Sequence, residues 1–120
     1  MDKILIADDD PFMEKLLEFT LKKAGFGIIA CREGNSVIQR ILDEKPVLII
    51  LDLMLPGRSG LELIGDIRAN QSIARLPVIF VTGQGKESTR NQLTQAGASA
   101  VYTKPFSPTA LIAMIKKLLA

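Results

Sequence analysis

Five short apolar runs, each followed by a stretch with helical periodicity, constrain what this chain can fold into. The runs are Lys3–Ala7 (KILIA), Gly27–Cys31 (GIIAC), Val47–Leu51 (VLIIL), Pro77–Val81 (PVIFV) and Ala100–Thr103 (AVYT). Most are apolar at successive rather than alternate positions, the pattern of strands covered on both faces. Helices are expected over Pro11–Ala24, Asn35–Glu44, Gly60–Asn70, Glu87–Ala96 and Pro108–Leu119. Asp10 is a suitable N-cap for the first, Pro11 suits its first position, and Gly25 stops it. Phe12, Leu16, Phe19 and Lys23 mark one side of that helix, with Leu17, Thr20 and Leu21 adjoining. Pro46 follows the second helix, and Leu61, Ile64 and Ile67 recur at helical spacing in the third. Gly97 closes the fourth and Ser107 caps the fifth. In the fifth, Leu111, Met114, Ile115 and Leu118 form a core stripe, while Ile112 and Leu119 lie nearer the outside beside Lys116. Strict alternation of strand and helix predicts an α/β fold: a single doubly wound, five-stranded parallel sheet with five helices on its two faces and right-handed crossovers.

Composition narrows the chemistry. The 120 residues contain no linker, repeat or low-complexity stretch, so one domain over 1–120 is expected. There is no histidine, which excludes Ser-His-Asp and Cys-His catalysis and histidine-based zinc sites. Cys31 is the lone cysteine, so no intrachain disulfide can form; with three acids interrupting the opening MDKILIADDD, this points to the cytoplasm. No apolar run approaches the roughly 20 residues that span a bilayer, so no membrane association is expected. Fifteen Lys and Arg against thirteen Asp and Glu give a net charge of +2. The basic residues are dispersed and not interleaved with aromatics, which argues against direct nucleic-acid binding.

In open parallel sheets, ligands bind outside the carboxyl ends of the strands. The first run is followed there by Asp8, Asp9 and Asp10, the second ends in Cys31 and Arg32, and the third is followed by Asp52. Thr82 and Gly83 follow the fourth, and Lys104 and Pro105 the fifth. Read singly, each residue has an ordinary account. Acids favour helix N-termini, Asp52 precedes the turn Leu55-Pro56-Gly57, Thr82 can end a strand, and Lys104 can be a solvated loop lysine. Their coincidence at successive strand ends is what those accounts leave unexplained. Crowded carboxylates repel unless a cation joins them. Hard oxygen ligands of this kind suit Mg²⁺. A hydroxyl and a lysine alongside suit a phosphoryl group, and Asp52 can be the nucleophile that forms an aspartyl phosphate.

The segments ILIADDD (Ile4–Asp10), LIILDLMLPGRSGLEL (Leu48–Leu63), PVIFVTG (Pro77–Gly83) and AGASAVYTKPF (Ala96–Phe106), with the closing helix, together resemble the receiver domain of two-component response regulators. The resemblance covers essentially the whole chain and implies flavodoxin-like strand order 2-1-3-4-5. It implies that Asp52 is the phosphoacceptor, that Asp9 ligates Mg²⁺ directly, and that Asp8 holds the metal's waters. The Met54 backbone carbonyl completes the protein's share of the coordination. Thr82 resembles the hydroxyl that binds the phosphoryl group, Lys104 the lysine that pairs with it, and Tyr102 the aromatic switch residue. The Lys104–Pro105 bond is expected to be cis. A histidine kinase or a histidine phosphotransfer protein is the implied partner. Such a domain is a switch rather than a turnover enzyme, although it assists its own phosphorylation and dephosphorylation. The implied output is the face of the fourth helix, fifth strand and fifth helix, remodelled for a downstream partner or a phosphorylation-dependent homodimer. Two departures stand out: Gly83 where many relatives carry Ala, within the small, flexible run Thr82–Ser88 (TGQGKES), and Val47 where an acid often precedes the third strand.

Rival readings fit less well. The run Gly83–Ser88 fails as a Walker A loop, because Phe80 and Glu87 stand where Gly and Ser or Thr are needed. It fails as a dinucleotide fingerprint because Ser88 replaces the third Gly. A haloacid-dehalogenase-like phosphatase would use Asp8 and Asp10, with Thr82 and Lys104, but the chain is short for a core plus cap and no acidic pair follows Lys104. A flavodoxin-like FMN protein would need a phosphate cradle where DDDPF (Asp8–Phe12) stands.

Overall fold

The computed structural model describes all residues, Met1–Ala120. Its strands are β1 (Lys3–Ala7), β2 (Gly27–Cys31), β3 (Leu48–Leu51), β4 (Val78–Thr82) and β5 (Ala100–Thr103). Its helices are α1 (Pro11–Lys23), α2 (Val37–Glu44), α3 (Gly60–Ala69), α4 (Glu87–Gln95) and α5 (Pro108–Leu119), and a 3-10 turn at Gly34–Ser36 leads into α2. All four strand pairings are parallel, and the order is β2-β1-β3-β4-β5. This is the expected doubly wound, flavodoxin-like sheet.

Continuous apolar strands produce two cores because successive side chains point to opposite faces. Ile4, Ile6, Leu48, Ile50, Ile79 and Val81 pack on one face under α1 and α5. Leu5, Ala7, Ile49, Leu51, Val78 and Phe80 pack on the other with α2, α3 and Leu93 of α4. Most of these strand residues are essentially inaccessible to solvent. At roughly 1.5–3 kcal/mol per fully buried large aliphatic side chain, these two layers are the main favourable term holding the sheet together.

Several boundaries and faces differ from expectation. The fourth strand runs Val78–Thr82 rather than Pro77–Val81. Proline has no N–H to enter the ladder, while Thr82 pairs with Thr103. The second helix begins at Val37, because Gly34–Ser36 turns more tightly and Ser36 makes no side-chain cap. The buried side of α1 is Met13, Leu17 and Leu21, with Glu14; of the side marked by Phe12, Leu16 and Phe19, only Leu16 packs half-buried against the core. In α3 Leu63 joins Ile64 and Ile67 in the core, and Leu61 is half-buried. In α5 Leu111 and Ile115 are buried, whereas Ile112, Met114, Leu118 and Leu119 all pack half-buried against the same core.

Candidate functional site

The pairing register of the sheet brings the predicted residues together. Asp8 directly follows β1, and its amide bonds to the Cys31 carbonyl at the end of β2 (3.1 Å). Asp52 directly follows β3, and its amide donates to the Ala7 carbonyl (2.9 Å). The backbone of Lys104 is fixed in the same way, by its amide to the Thr82 carbonyl (2.8 Å). Three side chains from distant parts of the chain therefore leave the sheet at one edge. The Lys104–Pro105 peptide bond is cis.

Asp8 and Asp52 are buried at 2% and 7% exposure, while Asp9 is open to solvent. One carboxylate oxygen from each of the three lies within 4.8 Å of the others. The Lys104 ammonium bridges two of them, donating to Asp52 Oδ2 at 2.9 Å and to Asp8 Oδ2 at 3.0 Å. Asp8 Oδ1 accepts from the Asp10 amide at 2.9 Å, whereas Asp52 Oδ1 accepts only a long bond, 3.3 Å, from the Met54 amide. Thr82 is fully buried at the end of β4, and its hydroxyl oxygen accepts from the Gln84 amide at 3.2 Å. Tyr102 is half-buried against the α1/α5 core. Asp10 stands apart as the N-cap of α1, accepting from the Phe12 amide at 3.0 Å.

Electrostatics follow from burial. Desolvation pushes the Asp8 carboxyl above its ordinary value, with the Asp52 charge adding to it, against the opposing bonds from the Asp10 amide and Lys104. For Lys104 desolvation is the largest single influence and works downward, but the two carboxylates together outweigh it, so the ammonium is held above its ordinary value. A carboxyl raised in the folded state contributes stability that is fully present below its unfolded value, 3.8, and is lost as pH rises through the folded value. Ionised Asp8 therefore costs the metal-free fold stability at neutral pH. Asp8→Asn, which keeps an acceptor for the Asp10 amide, is expected to raise the metal-free Tm by a few degrees at pH 7. Melting curves across pH check this: the gain shrinks as the pH is lowered toward the unfolded carboxylate value.

Three further groups shape the site without having been singled out in the sequence. Glu14, at 7% exposure in the first turn of α1, accepts from Arg32 at 2.9 Å. This pair ties the start of α1 to the end of β2, on either side of the acidic loop. Gly34 donates its amide to the Pro56 carbonyl at 2.9 Å, and a Cβ there would overlap the Arg58 carbonyl oxygen. Gly60 lies against the Asp52 carbonyl oxygen and the Phe80 ring, where an added Cβ would sit at 2.5 and 2.8 Å. Both glycines press the loop that follows Asp52 into place. In the loop itself only the turn residues Pro56 and Gly57 gave a local signal in the sequence.

Comparison with known proteins agrees with this geometry. A family model described as response regulator receiver domain matches residues 4–116. A putative response regulator from Chloroflexus aurantiacus is 32% identical with a TM-score of 0.94, over 98% of this chain and 97% of its own. The BeF3-activated N-terminal receiver domain of RstA from Klebsiella pneumoniae is 29% identical with a TM-score of 0.90, over 98% of each chain. The signal receiver domain of a signal transduction histidine kinase from Syntrophus aciditrophicus is 26% identical with a TM-score of 0.91, over 99% of this chain and 90% of its own.

Proposed function

Because the chain belongs to the family of response regulator receiver domains, we propose that it is a phosphoacceptor switch in which Asp52 takes a phosphoryl group from a phosphohistidine. The donor is a histidine kinase or a histidine phosphotransfer protein. The observation that carries this reading is the placement of Lys104 Nζ between the carboxylates of Asp52 and Asp8.

In the transfer, a carboxylate oxygen of Asp52 forms the new O–P bond. The N–P bond of the phosphohistidine breaks, and the imidazole leaves with the electron pair. Asp52 is suited to attack because its Oδ1 is only weakly engaged. Lys104, already beside Asp52, neutralises charge on the phosphoryl oxygens. The Thr82 oxygen accepts from the Gln84 amide, which leaves the hydroxyl proton free to donate to a phosphoryl oxygen. Hydrolysis of the acyl phosphate by water resets the switch.

The acidic cluster also fits a divalent cation. Three carboxylates are faced by one ammonium, and hard oxygen donors of this kind suit Mg²⁺. Asp9, Asp52 and the Met54 carbonyl would hold it directly, with Asp8 holding its waters. Bound there, Mg²⁺ neutralises charge on the transferred phosphoryl group. An ion that binds only the assembled cluster stabilises the fold by about 2.7 kcal/mol at a hundredfold excess over Kd. Titration with Mg²⁺ is therefore expected to raise the Tm by roughly 10 °C, and Asp9→Ala to remove most of that rise. A Tm indifferent to millimolar Mg²⁺ would count against the metal site.

Phosphoryl transfer itself is tested with acetyl phosphate and Mg²⁺, read by intact mass. One phosphoryl group per chain is expected, and none when a chelator removes the metal. Downstream, phosphate on Asp52 draws the Thr82 hydroxyl toward it and frees space beside Tyr102, whose inward rotation remodels the face of α4, β5 and α5. That face then engages an output partner or a second copy of the chain.

A further inference from the structure

Glu14 has no part in the chemistry above, yet it is buried. It stands in the first turn of α1 with its side chain 9% exposed, and its carboxylate accepts from Arg32 Nη2 at 2.9 Å. Acids favour the first turn of a helix, which accounts for an acid there but not for its burial. A buried carboxylate needs a partner, and this one receives it from the neighbouring strand. Cys31, the last residue of β2, packs in the core that α2 and α3 cover. Arg32 follows it and so turns to the opposite face, where α1 lies. The Arg32 side chain itself stays 64% exposed.

With this bond a ring closes around the acidic loop. The Asp8 amide donates to the Cys31 carbonyl at 3.1 Å, and the Glu14 amide donates to the Asp10 carbonyl at 3.0 Å. The Glu14 carboxylate then returns through Arg32 to Cys31. Asp9 lies between the two backbone anchors. Its neighbours are also held by their side chains: Asp8 bonds to the Asp10 amide and to Lys104, and Asp10 to the Phe12 amide. The Asp9 carboxylate is exposed, and one of its oxygens stays within 4.8 Å of Asp8 and Asp52 oxygens. Its aim at the cluster is set by the backbone of the ring.

We infer that Glu14 and Arg32 are positioning residues for Asp9: their bond closes the ring that aims this carboxylate at a divalent cation. The inference rests on the metal site proposed above. Geometry and charge here predict opposite signs. Cys31 pairs with Ala7, so Arg32 and the carboxylates share one sheet edge. Acting by charge alone, Arg32 repels a cation from that edge, and its removal would tighten Mg²⁺ binding. Acting through the ring, its removal loosens Asp9 and weakens binding. Glu14→Gln reverses the contrast. It takes away a negative charge, which by charge alone weakens binding, but it keeps an oxygen for Arg32 and so leaves the ring closed.

The test is titration of the ¹⁵N-labelled chain with MgCl₂ at constant ionic strength, followed at the Met54 amide. Arg32→Met is expected to raise the Kd for Mg²⁺ on the order of tenfold, the usual effect of losing a group that orients a metal ligand. Glu14→Gln should stay within about twofold of the unaltered chain, since the hydrogen bond survives without the charge. Arg32→Met also lowers the Tm, because Glu14 is left buried and unpaired. The double variant Glu14→Leu with Arg32→Met removes that buried charge and should recover the Tm while the Kd stays high. In labelling by acetyl phosphate, the Mg²⁺ concentration giving half the maximal rate should rise with the Kd, and the rate at saturating Mg²⁺ should not fall. The inference is overturned if Arg32→Met leaves the Kd unchanged or lowers it, or if the double variant regains the original Kd along with the Tm. It is equally overturned if Glu14→Gln loses more affinity than Arg32→Met, the pattern of a charge effect. An unaltered chain that does not respond to Mg²⁺ would overturn the metal site itself and this inference with it.

Discussion

Asp52→Asn is expected to take up no phosphoryl group, down to the background of the reagents, under conditions that label the unaltered chain stoichiometrically. The substitution is nearly isosteric. The asparagine oxygen can still accept from Lys104 or from the Met54 amide, the two groups that now bond Asp52. The loss is therefore chemical rather than structural: an amide has no carboxylate lone pair to attack phosphorus. The measurement is intact mass after incubation with acetyl phosphate and Mg²⁺, with a melting curve to show that the variant is folded. Borohydride reduction of the labelled unaltered chain, followed by peptide mapping, should mark position 52. The same experiment separates the switch from a phosphatase built on Asp8 and Asp10. In that case Asp52→Asn would still label and Asp8→Asn would not. The capping bond from Asp10 to the Phe12 amide already employs one of those two carboxylates structurally.

The second large effect falls on stability, at a residue with no chemistry of its own. Gly34→Ala drives a methyl group into the Arg58 carbonyl oxygen, which is backbone and cannot swing aside. Overpacking typically costs 1–3 kcal/mol, and a clash with main chain belongs at the upper end. A loss of about 3 kcal/mol would lower the Tm by roughly 12 °C. The strained loop includes Met54, so the Mg²⁺-dependent rise in Tm should also shrink. Gly65→Ala is the control. Gly65 is exposed in the interior of α3, and a Cβ added there would meet no neighbouring group within 4 Å. Alanine at such a position is worth up to about 1 kcal/mol in helix propensity. Thermal melts of the two variants should therefore move in opposite directions. Equal shifts would show that the packing of Gly34 against Arg58 does not govern the loop.

These two positions mark what a single sequence reveals. That Asp8, Asp9, Asp52, Thr82 and Lys104 gather at one edge was legible because each ends an apolar run or follows one within two positions, and parallel strands carry such positions to one edge. The order of the strands rested on resemblance, since alternation alone does not distinguish one doubly wound order from another. Gly34 was not legible, because its constraint comes from a carbonyl 24 positions away in sequence, at Arg58. The Glu14–Arg32 pair was hidden for the same reason. In α1 the difficulty was different. Phe12, Leu16 and Phe19 form one apolar stripe, and Met13, Leu17 and Leu21 form another beside it. Periodicity fixes the existence of the helix and not its rotation when both stripes are apolar.

The Arg68 side chain gives α4 an uneven mooring. Its guanidinium donates twice to the Gly97 carbonyl, at 3.1 and 2.8 Å, and also to the carbonyls of Ala74 and Leu76. Leu93, the one core residue of α4, sits near that same end. At the opposite end residues 83–88 are all exposed, and Lys86 supplies no side-chain cap. A rod fastened at one end pivots there. Over the roughly 13 Å of a nine-residue helix, a slight rotation at the Arg68 end would become a sweep of the far tip at Glu87. Few buried contacts therefore oppose a local opening at that tip, whereas opening the moored end would break the four Arg68 bonds and uncover Leu93.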